Sequence, residues 1–260
     1  MMKHAIFRIL PAAALFCLAA AAAAERPAAL GVIDYYAKYD ANTAGRTADY
    51  GRGQQAAFAA LQTNFPAAQR VDVDLLLKAG RAARDRYARL VILPHSTAFT
   101  EEMHASMADY VMRGGLLIAC DSLVYLDVDK NYRHDDTDPI TRYAENGFLG
   151  VQGVGHAVQH EIKALEAGPL TAGLPVGAWL ELAGEVGGRA TQNRSARVAV
   201  MARQRSGGRT AEAPFVTYKS YGKGACVYLA GGLGLGREDA LGQIAKNVFS
   251  AETLKALCVQ

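Results

Sequence analysis

Charge of one sign, disulfide density and tryptophan are all in short supply in this chain, and each shortage closes off a class of function. Lys and Arg number 28 against 25 Asp and Glu, a formal net charge of +3. No basic stripe is present to neutralise a phosphate backbone, so nucleic acid is not an expected partner. Four cysteines in 260 residues are too few for a disulfide scaffold. No Gly-rich loop ends in the Lys-Ser/Thr of a phosphate loop, and no full dinucleotide fingerprint is present. The single tryptophan is Trp179.

The one long apolar stretch lies at the start. Lys3, His4 and Arg8 precede an Ala-rich run from Ala12 that ends in small residues up to Ala24. That order of basic start, apolar run and Ala-x-Ala exit predicts a secretory signal peptide over residues 1–24, cut after Ala24. Phe16 stands before Cys17 where a lipid-modification signal wants a small residue. The expected mature protein is periplasmic or secreted, with no membrane span after cleavage. Losing Lys3 and Arg8 leaves 26 basic residues against 25 acidic ones, a charge of +1. The remaining residues, 25–260, are expected to form one α/β domain.

From Leu30 to Cys120 apolar runs alternate with helical patterns, as in a parallel sheet with crossover helices. Strands are predicted at 30–34, 70–76, 89–94 and 116–120, and helices at 53–65, 81–86 and 101–113. The third strand shows no polar alternation, as expected when both faces are buried. Residues 121–155, with charge clusters and several Gly and Pro, break the rhythm and predict a long insertion at the strand ends. Beyond it the pattern turns antiparallel, with strands at 160–165, 179–185, 197–203 and 215–220 and a hairpin tip at Arg205-Ser-Gly-Gly-Arg209. A buried strand at 225–230, the loop Gly231-Gly-Leu-Gly-Leu-Gly236 and a helix over 238–249 complete the reading.

Several blocks carry a family resemblance: Leu90-Val-Ile-Leu-Pro-His-Ser96, Phe99-Thr-Glu-Glu102, Tyr110-Val-Met-Arg-Gly-Gly115, Leu116-Leu-Ile-Ala-Cys120, Gly168-Pro-Leu-Thr-Ala-Gly-Leu-Pro175 and Tyr221-Gly-Lys-Gly-Ala-Cys-Val-Tyr228. Together they make the chain resemble the class I glutamine amidotransferase-like superfamily, especially its trehalose-utilisation-type and β-galactosidase trimerisation-domain branches. The resemblance implies a three-layer, flavodoxin-like or amidotransferase-like fold with a mostly parallel sheet and an antiparallel C-terminal extension. It puts Cys120 at the family's nucleophile position and His95 where the oxyanion loop starts. Asp121-Ser122 replaces the small turn expected after the nucleophile, and Gly231–Gly236 stands where a His-x-Glu pair would follow the last core strand. Glutamine hydrolysis is therefore not expected.

Chemistry in such a sheet belongs at the carboxyl ends of the parallel strands. That rim collects Asp34, Tyr35, Tyr36, His95, Ser96, Cys120, Asp121 and Ser122. Its candidate catalytic pair is Cys120 with His95, because a thiol needs a base or a positive neighbour to become a nucleophile. Its candidate ligand-binding residues are Asp34, Tyr35, Tyr36, Ser96, Asp121 and Ser122, and the aromatic stretch from Tyr35 to Tyr50 suits stacking on a sugar. The insertion carries Asp127, Asp129, Asn131 and Asp138 as candidate calcium ligands, since alternate oxygen-bearing residues can turn toward one ion. Tyr132 and Asp138 depart from that pattern where a Gly and a Glu are usual. No other cofactor is expected. His156 and His160 would share a face only on a helix, and Gly231–Gly236 opens a helix whose amides could cradle an anion. If a disulfide forms, the expected pair is Cys226 with Cys258; three buried thiols are the simpler outcome. The leading expectation is a domain binding a small polar molecule or saccharide at the rim, set against a Cys120-dependent hydrolase or transferase and an accessory subunit docked to an envelope protein.

Overall fold

The computed structural model describes residues 30–34, 47–72, 77–78, 80–93, 101–120 and 147–258. In chain order these form β1 (Leu30–Asp34), α1 (Thr47–Asn64), β2 (Gln69–Asp72), α2 (Gly80–Arg84), β3 (Arg89–Ile92), α3 (Glu101–Met112) and β4 (Leu116–Cys120). There follow β5 (Val151–Ala164), a 3-10 turn (Pro169–Thr171), β6 (Trp179–Asn193), β7 (Arg197–Ser206), β8 (Arg209–Tyr221), β9 (Gly224–Leu229), α4 (Ala240–Val248) and α5 (Ala251–Leu257). Among the described residues, no helix is long and apolar enough to cross a membrane.

All nine strands form one sheet in the order β2-β1-β3-β4-β9-β8-β7-β5-β6. From β2 to β9 every pairing is parallel, and from β9 to β6 every pairing is antiparallel. The sheet is therefore mixed rather than mostly parallel, and its antiparallel part holds the longer strands. The cause is visible in β6, which continues past the predicted end at Glu185 to Asn193, and in β8, which begins at Arg209 rather than Phe215. Gly184, Gly187 and Gly188 weaken the strand pattern on paper but are accommodated within β6. Likewise β5 starts at Val151, so the last part of the predicted insertion is strand.

Burial explains the parallel half. Every residue of β4 and β9 is buried, as is β3 beyond Arg89, which matches their unbroken apolar sequences. α3 ends at Gly114, φ 102°, where Gly114 N–H donates to Val111 O and Gly115 N–H to Tyr110 O. A side chain at Gly115 would run into the Tyr110 ring, whose hydroxyl donates to Tyr87 O at 3.0 Å. Asp109 accepts from Arg84 and Arg113, and Arg113 also pairs with Asp85, so the ends of α2 and α3 are tied together.

The antiparallel half depends on bends. The β7–β8 hairpin closes through Gly207 and Gly208, φ 55° and 77°, the positive values that a two-residue primed turn requires. β5 changes register between Gly153 and Gly155 and again between Gln159 and Glu161. Beyond these bulges β6 folds back over β8 and the end of β9. Gly188 bridges Gly231, Arg189 N–H donates to Ala230 O at 2.7 Å, and Thr191 Oγ1 donates to Pro214 O at 2.7 Å.

The outer edge of β6 is held at Ala183 by two side chains that act as a strand would. Ala183 N–H donates to Asp239 Oδ2 at 2.9 Å, and Ala183 O accepts from Arg237 NH2 at 3.1 Å. Asp239 also caps α4, accepting from Gly242 N–H. The hydrogen-bonded Arg237 guanidinium, helped by these backbone donors, lowers the Asp239 carboxyl from 3.8 to about 2. Its folded value is depressed, so its stabilisation is complete above its unfolded value and disappears as pH falls toward 2. The shift corresponds to about 2 kcal/mol. Asp239→Asn is expected to destabilise the fold by roughly that amount at neutral pH and to flatten the stability profile between pH 4 and 2, measured by urea unfolding. A Cβ at Gly188 would lie 2.1 Å from Ala230 O. Gly188→Ala should lower the melting temperature through a cost of about 1–3 kcal/mol, checked by thermal unfolding.

Candidate functional site

The parallel strands deliver their carboxyl ends to one edge. Ile33, Ile92, Ala119 and Tyr228 are in register across β1, β3, β4 and β9, and Cys120 stands one step further, beside Leu229. Asp34 closes β1 opposite Asp72. Strand order reverses between β1 and β3, which is where α/β sheets open a crevice. The strands expected to carry the rim are thus neighbours in one sheet.

Of the predicted site side chains, Cys120 alone is described. Its residue is 1% exposed, and its Sγ donates to Ile92 O on the neighbouring strand at 3.4 Å. Burial in apolar surroundings does not favour a reactive thiolate. The side chain of Asp34 and all of Tyr35, Tyr36, His95, Ser96, Asp121 and Ser122 lie outside the described residues, as do the calcium candidates Asp127, Asp129, Asn131 and Asp138.

Three further expectations meet described residues. Cys226 and Cys258 are not joined; with Cys120 they are three buried thiols. Cys226 sits in the middle of the sheet, between Leu117 of β4 and Lys219 of β8, and burial pushes its thiol pKa up. Cys258 caps the end of α5 and belongs to the same core. His156 and His160 both belong to β5, where residues four apart are separated by about 13 Å of strand. They pair separately, His156 Nε2 with Arg189 NH1 at 3.3 Å and His160 Nε2 with Glu161 Oε2 at 4.0 Å. The glycine loop does not offer its helix end to an anion, because Asp239 occupies that end. Its glycines answer to packing instead: a Cβ on Gly231 would meet Val186 and Phe215, and one on Gly234, φ 69°, would meet Leu241.

Two features of this edge were not foreseen. The fold-back of β6 brings Val186, Gly188 and Arg189 onto the end of β9, so the antiparallel half walls one side of the rim. The signal was the glycine pair Gly187-Gly188 in a strand-like context, which marks close backbone approach. His104, in the first turns of α3, is buried and stacks on Phe148 with ring centroids 4.8 Å apart. Its place among Met103, Met107 and Tyr110 on the buried face of α3 was the available clue.

No family model matches the sequence, and no curated protein matches it. Solved structures share its fold. A GH42 β-galactosidase from G. stearothermophilus superposes with a TM-score of 0.58 at 16% identity, covering 90% of this chain and 31% of that one. A β-galactosidase from Rahnella sp. R3 gives 0.55 at 16% identity over 89% of this chain and 31% of that one. A protein from Bacteroides uniformis described as ThuA-like gives 0.55 at 14% identity, covering 90% of this chain and 96% of the other. The chain spans about a third of the β-galactosidases it resembles, and nearly the full length of the ThuA-like protein. At these identities the likeness is one of fold.

The burial of all three thiols has a direct consequence. Cys120, Cys226 and Cys258 should resist iodoacetamide in the folded protein and react together on denaturation, read by intact-mass spectrometry. Rapid single modification of Cys120 near neutral pH would contradict the geometry described.

Proposed function

We propose that this chain is an exported amidotransferase-like domain that does not hydrolyse glutamine and binds a small polar ligand, of the saccharide class, at the carboxyl ends of β1, β3 and β4. The observation that carries the proposal is the state of Cys120. Its buried thiol lies within hydrogen-bond distance of Ile92 O inside the sheet, which argues against its acting as the family's nucleophile. The segment after β9 supports the same reading, since between Ala230 and Asp239 it holds no histidine and two of its glycines, Gly231 and Gly234, pack against β6, β8 and α4.

The point of strand reversal is where this class of sheet takes its ligands. The parallel order β2-β1-β3-β4-β9 is the basis for reading that half as the flavodoxin-like layer arrangement. Within it Asp34, Tyr35, Tyr36, Ser96, Asp121 and Ser122 would supply hydrogen bonds and a stacking ring, and residues 121–146 would lie above them. The saccharide class rests on fold kinship with β-galactosidases and a ThuA-like protein, an argument by analogy.

Calorimetry with a panel of neutral mono- and oligosaccharides tests this reading. Binding by the wild type that is lost in Tyr35→Ala and Asp121→Ala, with thermal stability retained, is the expected result. No heat and no thermal shift with any sugar would sink it. Rapid alkylation of Cys120, abolished by His95→Ala, would favour a Cys120-dependent hydrolase or transferase instead. Capture of an envelope protein that depends on residues 121–146 would favour an accessory subunit.

A further inference from the structure

Two glutamines lie inside the antiparallel half, at positions where its strand pattern leads to apolar side chains. On β7, Ala202 and Gln204 are buried while Arg203 and Arg205 are not. On β5, Ile162 and Ala164 are buried while Glu161 and Lys163 are not, so strict alternation would put Gln159 on the outer face with Glu161. Instead β5 changes register against both β6 and β7 between Gln159 and Glu161. A bulge re-aims the side chain beside it, and Gln159 is turned inward to 0% exposure. Gln204, its direct partner across the β5–β7 ladder, is 5% exposed. Side chains so paired share a face, with Cβ atoms about 5 Å apart.

One end of the Gln159 amide is occupied. Its Nε2 donates to Arg189 O at 3.4 Å, and Arg189 N–H donates to Ala230 O. The fold-back of β6 is therefore gripped at Arg189 from β5 and from the end of β9. That donation fixes the amide's orientation, since the reverse one would set two carbonyl oxygens against each other. Gln159 Oε1 is left turned away from Arg189 O. Both Gln159 Oε1 and Gln204 Oε1 are buried, and no donor among the described residues reaches either.

Buried acceptors without donors are destabilising, and two apolar side chains would fill these positions at lower cost. A bulge that carries one such acceptor toward another calls for something that satisfies both. One small neutral molecule donating two hydrogen bonds does so. The flanking buried side chains Ala157, Ala202 and Ala213 are small, which suits an occupant the size of water. A calcium-like cation takes six to eight oxygens, of which this pair supplies two.

We propose that Gln159 Oε1 and Gln204 Oε1 hold one resident water molecule between β5 and β7, as part of the clasp that keeps β6 folded over the end of β9. The site shares no residue with the rim and does not depend on the ligand assigned there.

A crystal structure at a resolution that shows ordered water tests the proposal directly. The expected result is a peak about 2.8 Å from both glutamine oxygens. A direct Gln204–Gln159 hydrogen bond with nothing between them would overturn it. So would a peak held at about 2.4 Å by six or more oxygens, which is a cation. In solution, Gln204→Leu separates a bridged oxygen from an idle one. Loss of the bridge strands Gln159 Oε1, so the melting temperature is expected to fall by a few degrees. An unchanged or raised melting temperature would mean that the oxygen had no partner to lose, and the proposal would fail. If Gln204→Leu does not fold, the wild-type crystal structure decides the question alone.

Discussion

Strand β9 is the hinge on which this architecture turns. It pairs parallel with β4 on one side and antiparallel with β8 on the other, so both rows of its backbone groups are taken up inside the sheet. A strand in that position has neither an edge nor an open face, and Gly224–Leu229 is accordingly buried at every residue. Within the sheet, the crossover-built half and the hairpin-built half are joined at that strand. The end of β9 also receives the fold-back of β6, through Ala230 O and Gly231, so it sets how the antiparallel half stands over the rim.

That constraint explains which parts were legible in the sequence. Strands buried on both faces write themselves as unbroken apolar runs, and β1, β3, β4 and β9 were found within a residue or two of their observed limits. The Ser206-Gly207-Gly208-Arg209 turn announced itself by chemistry that only a primed hairpin needs. The antiparallel strands were harder, because a twisted and bulged strand with one face in water has neither continuous apolarity nor strict alternation. β6 carries exposed residues, three glycines and a fold-back, and its period breaks where the chain still pairs. α5 was missed although Ser250 caps it by accepting from Thr253 N–H; its seven residues are too few to show a helical period.

The candidate site divides along similar lines. Topology set β1, β3 and β4 side by side in register, as the strand pattern required. What sequence could not fix was the direction of one thiol. A cysteine at a strand end can turn outward to a crevice or inward to the next strand, and the choice depends on contacts made far along the chain. Here Cys120 turns to Ile92, and its place in the fold ceases to imply its chemistry. The glycine loop shows the converse: a motif that resembled an anion cradle is spent on packing, while the helix end it leads to is satisfied by Asp239.

A similar economy governs the edge and the outer face of the antiparallel half. An unpaired edge strand invites association with other chains, and at Ala183 the Arg237–Asp239 pair supplies the donor and acceptor that a neighbouring strand would. The outer face of β5 and β7 meets water with paired charges, which is how a one-sided antiparallel sheet stays soluble. Glu161, Arg203 and Glu212 are sufficient for that purpose. Trp179 adds nothing to solubility, and the cations beside it contribute about 0.5–1 kcal/mol each at exposed positions. A smaller β-forming side chain would pair with Lys163 at less exposed apolar area. The ring is held there by Lys163 of β5 and Arg203 of β7, so the residue that opens β6 ties three strands together across the sheet face.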